Sequence, residues 1–334
     1  MHRALTSLFA AAALACAALV ATARGDTVYA VSNNDGRIIR YDSANPAGTV
    51  VTLSGSGAIV GAAGLALGPD GNLYIGEAGD FLTIAPSIKR LNLTNNSLST
   101  VHTFSAFDVF PGSLAFKGSA LLVGRNPFFG DTGAIVKVAN ATGGVIAVSD
   151  YTTGGSLASS PGLAFGADGS LYVSSQTYNF VTRIASGPVV KFDAAGVFVG
   201  EVIASGTSTG LLGPTGIGIR GTTLYTSSIM SGSILQTNLL NDSTQPFGST
   251  GVPFGASPLA LLSDGGLIVG SAGGAGAIYQ FDAAGTVTDT FNSGLGTIGG
   301  LVVAPVPEPS TVVTAAIGIV AGAVAYRRRQ VARS

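Results

Sequence analysis

Five stretches of the chain share one hydrophobic pattern. Gly64–Asp80, Ser113–Asp131, Gly162–Asn179, Gly216–Gly232 and Pro258–Gly274 each read as apolar strand, tight turn, apolar strand, variable loop. A third strand follows each one, as in IKRLNL, AIVKVA or SILQTNL, and a fourth comes after another turn, as in LSTVHTF or VFVGEVI. With Leu65, Leu114, Leu163, Ile217, Leu259 and Leu301 as anchors, the repeat steps are 49, 49, 54, 42 and 42 residues. A four-stranded unit recurring every 40 to 50 residues predicts a β-propeller. The second strands agree. Leu73-Tyr74-Ile75, Leu121-Leu122-Val123, Leu171-Tyr172-Val173 and Leu267-Ile268-Val269 are continuous apolar runs. Such runs suit strands covered on both faces. First strands carry small residues, including Gly64, Gly162 and Gly216, as crowding round an axis requires. Pro111, Pro161, Pro214 and Pro258 are expected just before first strands, where a missing N–H costs least.

Five units are complete. Gly299–Val303 then supplies a lone first strand, and Thr27–Leu53 supplies the three strands that are left over. Together they predict a sixth blade assembled from both ends of the chain, which hides the open sheet edges. The fold class is therefore all-β, a six-bladed propeller with a split blade. An irregular β-sandwich would alternate more and lack the period. The repeats over Thr27–Val303 resemble the NHL and gluconolactonase-like propellers at the level of the fold.

The flanks differ in composition. The chain opens with Arg3 and an apolar, Ala-rich run from Leu5 to Val20, followed by Ala21-Thr22-Ala23. This is the pattern of a signal helix cleaved after Ala23 by signal peptidase. Leu14-Ala15-Cys16 fits a lipobox poorly, because Ala13 stands where a larger aliphatic residue is wanted. The single cysteine, Cys16, leaves with the leader, so no disulfide braces the mature body. At the other end, Pro305, Pro307 and Pro309 impose an extended segment. Thr311 to Tyr326 is uncharged and helix-competent, though short for a span of about 20 residues. Arg327, Arg328 and Arg329 mark a cytoplasmic side. The domain reading is a leader at 1–23, a propeller at 24–304, and a tail with a single transmembrane helix at 305–334.

That tail resembles the PEP-CTERM proteins, the substrates of exosortases. The resemblance rests on Val306, Pro307, Glu308, Pro309 and Ser310, the short span and the basic end, in that order. It implies that a membrane-embedded thiol transpeptidase recognises Pro307-Glu308-Pro309 and cuts nearby. The body would stand outside the cytoplasm, in the inner membrane at first and then at the surface or beyond. It implies no enzymatic activity in the chain itself.

Composition narrows the chemistry. Charged residues make up 10% of the chain and glycine supplies 49 of 334 residues. Residues 24–305 carry eleven basic and sixteen acidic side chains, a net charge of −5. That argues against a nucleic-acid partner, which needs a basic stripe. His102 is the one histidine beyond the leader, and it falls in an outer strand. No GxSxG, HExxH or phosphate loop is present. Asp70, Asp168 and Asp264 precede glycine in first turns, Asp35 does so in the split blade, and Asp193 and Asp282 open DAAG turns. All six read as turn formers.

First and third turns should share one rim of the disc. The opposite rim, built from second-to-third-strand loops and blade links, does not repeat. It offers Glu77, Asp80, Arg125, Asn126, Asp131, Gln176, Tyr178 and Asn179 as a candidate binding rim. The expectation is a non-enzymatic propeller that contacts exopolysaccharide, a matrix component or a surface protein, with no cofactor. The alternative is a lactonase-like hydrolase using a divalent cation such as Ca²⁺. Its ligands would come from Glu77, Asp80, Asn126, Asp131 and Asn179.

Overall fold

The computed structural model describes residues 25–304 apart from positions 49, 56, 81–82, 106–109, 127–132, 153, 156, 180, 207–208 and 275. The leader, the Pro-Glu-Pro motif, the tail span and Asp131 lie outside the described residues. Among the described residues, no helix is long and apolar enough to cross a membrane.

The chain begins with β1 (Thr27–Ser32), β2 (Ile38–Asp42) and β3 (Val51–Ser54). Blade one follows as β4 (Ala62–Leu67), β5 (Leu73–Glu77), β6 (Ser87–Leu91) and β7 (Leu98–Thr103). Blade two is β8 (Phe110–Lys117), β9 (Ala120–Asn126), β10 (Ala134–Ala139) and β11 (Ala147–Asp150). Blade three has β12 (Ser159–Phe165), a long β13 (Leu171–Asn179), an extra β14 (Ile184–Ser186), β15 (Val189–Phe192) and β16 (Phe198–Ile203). Blade four is β17 (Pro214–Arg220), β18 (Thr223–Ser228), β19 (Ser233–Asn238) and β20 (Ser243–Ser249). Blade five is β21 (Leu259–Leu261), β22 (Leu267–Gly270), β23 (Ala277–Phe281) and β24 (Val287–Asn292). The last strand, β25 (Ile298–Ala304), turns back to the start.

These strands form six antiparallel sheets, one per blade. The sixth has the order β25-β1-β2-β3, with Val28 opposite Val303 and Tyr29 opposite Val302. The predicted split blade is therefore the closure of the ring. All six sequence anchors fall in the innermost strands, each no more than 9% exposed.

The core is divided into six wedges, one between each pair of neighbouring blades. Leu73 and Ile75 pack with Tyr29, Val31 and Ile38 of the split blade. Tyr74, which lies between them in sequence, packs with Leu114, Leu121 and Val123 of blade two. One strand thus feeds both interfaces, and this explains the unbroken apolar runs. Outer strands face water on one side, and β11 is exposed along its whole length.

The prolines differ from expectation. Pro111, Pro161 and Pro214 lie inside their first strands, not before them. In each of these blades the register with the second strand shifts at the proline or just after it, between Pro111 and Leu114, Ser159 and Gly162, and Pro214 and Ile217. A bulge releases a residue from the ladder, so the absent N–H is tolerated there. Pro258 precedes β21, as predicted.

Candidate binding rim

Antiparallel order fixes the two rims. First turns (β4–β5, β8–β9 and their equivalents) and third turns lie on one of them, the turn rim. Second-to-third loops and blade links lie on the other, the loop rim. On the turn rim the aspartates act as the sequence suggests. Asp70 Oδ1 accepts from Asn72 N–H, and Asp70 Oδ2 accepts from Tyr74 Oη–H at 2.9 Å. Asp168 accepts from Ser170 N–H and Oγ–H, and Asp264 from Gly266 N–H. Asp193 and Asp282 each accept two backbone N–H groups of their own turn. Asp35 accepts from Arg37 N–H and Nε–H. Its turn joins β1 to β2, which are the second and third strands of the split blade, so Asp35 sits on the loop rim.

These bonds move the carboxyls. Burial opposes ionisation of Asp70, but bonds from Asn72 and Tyr74 and the charge of Arg90 outweigh it, and its pKa is lowered. The two bonds from Ser170, then the Lys191 charge, lower Asp168. Asp35 is lowered against its burial by bonds from Ser32 and Arg37. Burial, joined by the bond to Asp70, pushes the Tyr74 phenol up to about 12. His102 lies in β7, with its ring edge-to-face on Phe104 at 4.7 Å, and burial lowers its pKa.

The loop-rim candidates do not converge. Glu77 ends β5 and is 3% exposed. Its Oε1 accepts from Val60 N–H at 3.0 Å, its Oε2 accepts from Ser87 Oγ–H, and Lys89 Nζ stands 3.3 Å away. The same task recurs two and three blades on. Ser175 Oγ accepts from Ala158 N–H and Ser228 Oγ from Leu212 N–H, each bond reaching 16 or 17 residues back to the incoming link. Glu77 is therefore the blade-one version of a structural cap. Asp80 Oδ1 accepts from Thr83 and Ile84 N–H and shapes its own loop. Asn126 Oδ1 accepts from Ser160 N–H, and Gln176 Nε2 donates to Pro214 O. Both bonds stitch one blade to the next. Arg125 lies in β9, and its buried Nε has no partner among the described residues.

Tyr178 and Asn179 lie on a strand where the sequence pattern predicts a loop. β13 runs past its blade and pairs with β14 through Thr177–Ser186, Tyr178–Ala185 and Asn179–Ile184. The result is a two-stranded arm on the loop rim. Asn179 Oδ1 accepts from Val181 and Thr182 N–H and so caps the tip. Ala185 anchors the base at 2% exposure. Val181 is 92% exposed, Ile184 49% and Tyr178 41%.

The central channel is a cavity of about 470 Å³ ringed by Leu65, Leu114, Leu163, Ile217, Leu259 and Leu301. None of its lining residues is ionisable. Among the described residues, no three His, Cys, Asp or Glu side chains gather as a metal site would require. Of the five proposed cation ligands, Glu77, Asp80, Asn126 and Asn179 each serve their own loop or link, and Asp131 lies outside the described residues.

Comparison with known proteins supports the reading of the tail. The family described as PEP-CTERM protein-sorting motif matches residues 305–329. No curated protein matches the chain. Among solved structures, a chain from a nidogen/laminin complex superposes with TM-score 0.64 at 14% identity, covering 84% of this chain and 98% of that one. TolB from Acinetobacter baumannii gives 0.62 at 14%, covering 84% and 67%. A protein of unknown function from Bacteroides caccae gives 0.60 at 14%, covering 84% and 98%. Likeness at this identity shows the fold alone, and it is compatible with an NHL or gluconolactonase-like body. The chain is thus a six-bladed propeller carrying a PEP-CTERM sorting motif, which implies export and processing by an exosortase.

Proposed function

We propose that this chain is a non-enzymatic, surface-sorted propeller that binds exopolysaccharide, or a protein of the extracellular matrix, through its loop rim. The sorting motif at 305–329 carries the reading, because it sends the body to where such material lies. The arm of β13 and β14 supports a contact role. It presents an aromatic ring and two aliphatic side chains at the surface on a hydrogen-bonded two-stranded base. An amphipathic ring beside apolar neighbours suits the face of a sugar or a protein patch. Signal peptidase and the secretion machinery act at the leader, and the tail helix holds the chain in the membrane before processing. The reading requires no cofactor, and Asp35, Asp70, Asp80, Asp168, Asp193, Asp264 and Asp282 are engaged in their own turns.

The test is co-sedimentation of the exported body with polysaccharide purified from the producing cells. The double variant Tyr178→Ala, Val181→Ser is expected to lose several-fold in affinity with its thermal midpoint unchanged. Thr222→Ala, on the opposite rim, is expected to bind as the parent does. Equal binding by all three, or metal-dependent lactone hydrolysis by the body, defeats the proposal.

A further inference from the structure

Both ends of the described chain leave the disc at one place. The register of β1 and β25 puts Thr27 opposite Ala304. Two contacts identify the rim. Asp26 O accepts from Ser43 N–H, in the turn after β2. Asp26 Oδ2 accepts from Ser263 N–H, in the first turn of blade five. Gly25 is wedged there too, since a Cβ on it would stand 2.2 Å from Ala44 N. The body is therefore fixed to the turn rim from residue 25 at one end to residue 304 at the other.

The tether beyond Ala304 is short. Pro307 comes three residues later, and the uncharged run begins at Thr311. Seven residues, fully extended, reach about 25 Å. Ala304 lies on an innermost strand, close to the axis. To turn the disc over, the tether would have to cross four strands of one blade and then descend the length of a strand. At about 4.8 Å between strands and about 20 Å along a six-residue strand, that path is on the order of 35–40 Å. The tether does not reach.

We infer that the anchored protein holds its turn rim toward the membrane and the sorting enzyme, and its loop rim away from them. This rests on the sorting reading above and adds a direction to it. The arm at Tyr178 and Val181 points outward, where a surface ligand meets it first.

The full-length chain, made without its processing enzyme, is reconstituted into liposomes whose headgroups carry a nitroxide quencher. Cys16 is the single cysteine, so Cys16→Ser gives a clean background. Four single cysteines then receive a fluorophore. Ala167→Cys and Thr222→Cys lie in exposed first turns, and Asn34→Cys and Val181→Cys lie on the loop rim. Labels at 167 and 222 are expected to be quenched several-fold more than labels at 34 and 181. Equal or reversed quenching in chains that float with the liposomes overturns the orientation alone. Chains that fail to float overturn it together with the anchored reading. Two reporters per rim keep the comparison valid if one variant misfolds.

Discussion

At the scale of single residues, the ring depends on what is missing as much as on what is present. First-strand glycines let neighbouring blades meet backbone to backbone. A Cβ on Gly216 would stand 2.4 Å from Leu259 N and 2.5 Å from Ser257 O, and one on Gly162 would stand 2.1 Å from Thr215 O. Neither obstacle is a side-chain tip that could swing aside. Gly216→Val must part blades four and five, at a cost of about 1–3 kcal/mol for overpacking. The urea midpoint should fall with an unchanged slope, and an unchanged midpoint would show that the blades are not in contact there. His102 offers a second check. Burial favours its neutral form, so its folded-state pKa lies below its ordinary 6.5. The stability it contributes is complete above that value and is lost as pH falls through the lower folded pKa. The depressed carboxyls of Asp35, Asp70 and Asp168 act in the same direction at more acid pH. A proton NMR titration of His102 is expected to give a midpoint below 6.5, and a midpoint above it would contradict the packing on Phe104.

At the scale of elements, what the sequence disclosed is what packing makes periodic. Leu73-Tyr74-Ile75 and its counterparts reveal second strands because both faces are buried in every blade. Turn aspartates reveal themselves because one local hydrogen-bond pattern recurs with the blade. What stayed hidden is what happens once. The β13–β14 arm has no counterpart in other blades among the described residues, so no repeat exposes it, and QTYNFVTRIAS reads as a loop. Glu77 stayed hidden for the opposite reason. It fills a repeated position, but its carboxylate does the work of a serine hydroxyl elsewhere. Only the matching bonds from Val60, Ala158 and Leu212 make the equivalence visible. The prolines mislead because Pro usually marks where a strand begins, whereas here a bulge admits it inside. Candidate ligands selected by residue type alone therefore combine link caps, loop caps and blade stitches with the protruding arm.

At the scale of the whole molecule, the ring closes through hydrogen bonds where the chain itself is open. β1 and β25 lie side by side with their ends in register, and Asp26 ties the start of β1 to blade five. Nothing in the six wedges requires the break to fall in this blade. If Ala304 is joined to Thr27 by a short glycine linker, the pair becomes an ordinary hairpin. New ends can then be cut between Leu240 and Asn241, in the third turn of blade four, where Leu240 is 78% exposed. Such sites tolerate new termini because few packed groups depend on their continuity. This permutant of residues 27–304 is expected to fold cooperatively, with a thermal midpoint within a few degrees of the unpermuted body. Its β20 would then act as the loose strand that β1 is now. Failure to fold would mean that the chain must close at β1 and β25 for a reason beyond their pairing. The natural break has a consequence that the permutant lacks. It places both ends of the described body on one rim, within a single strand pair. The two ends of the described body thus meet on one face, the face from which the sorting motif follows, and the loop rim stays clear of both.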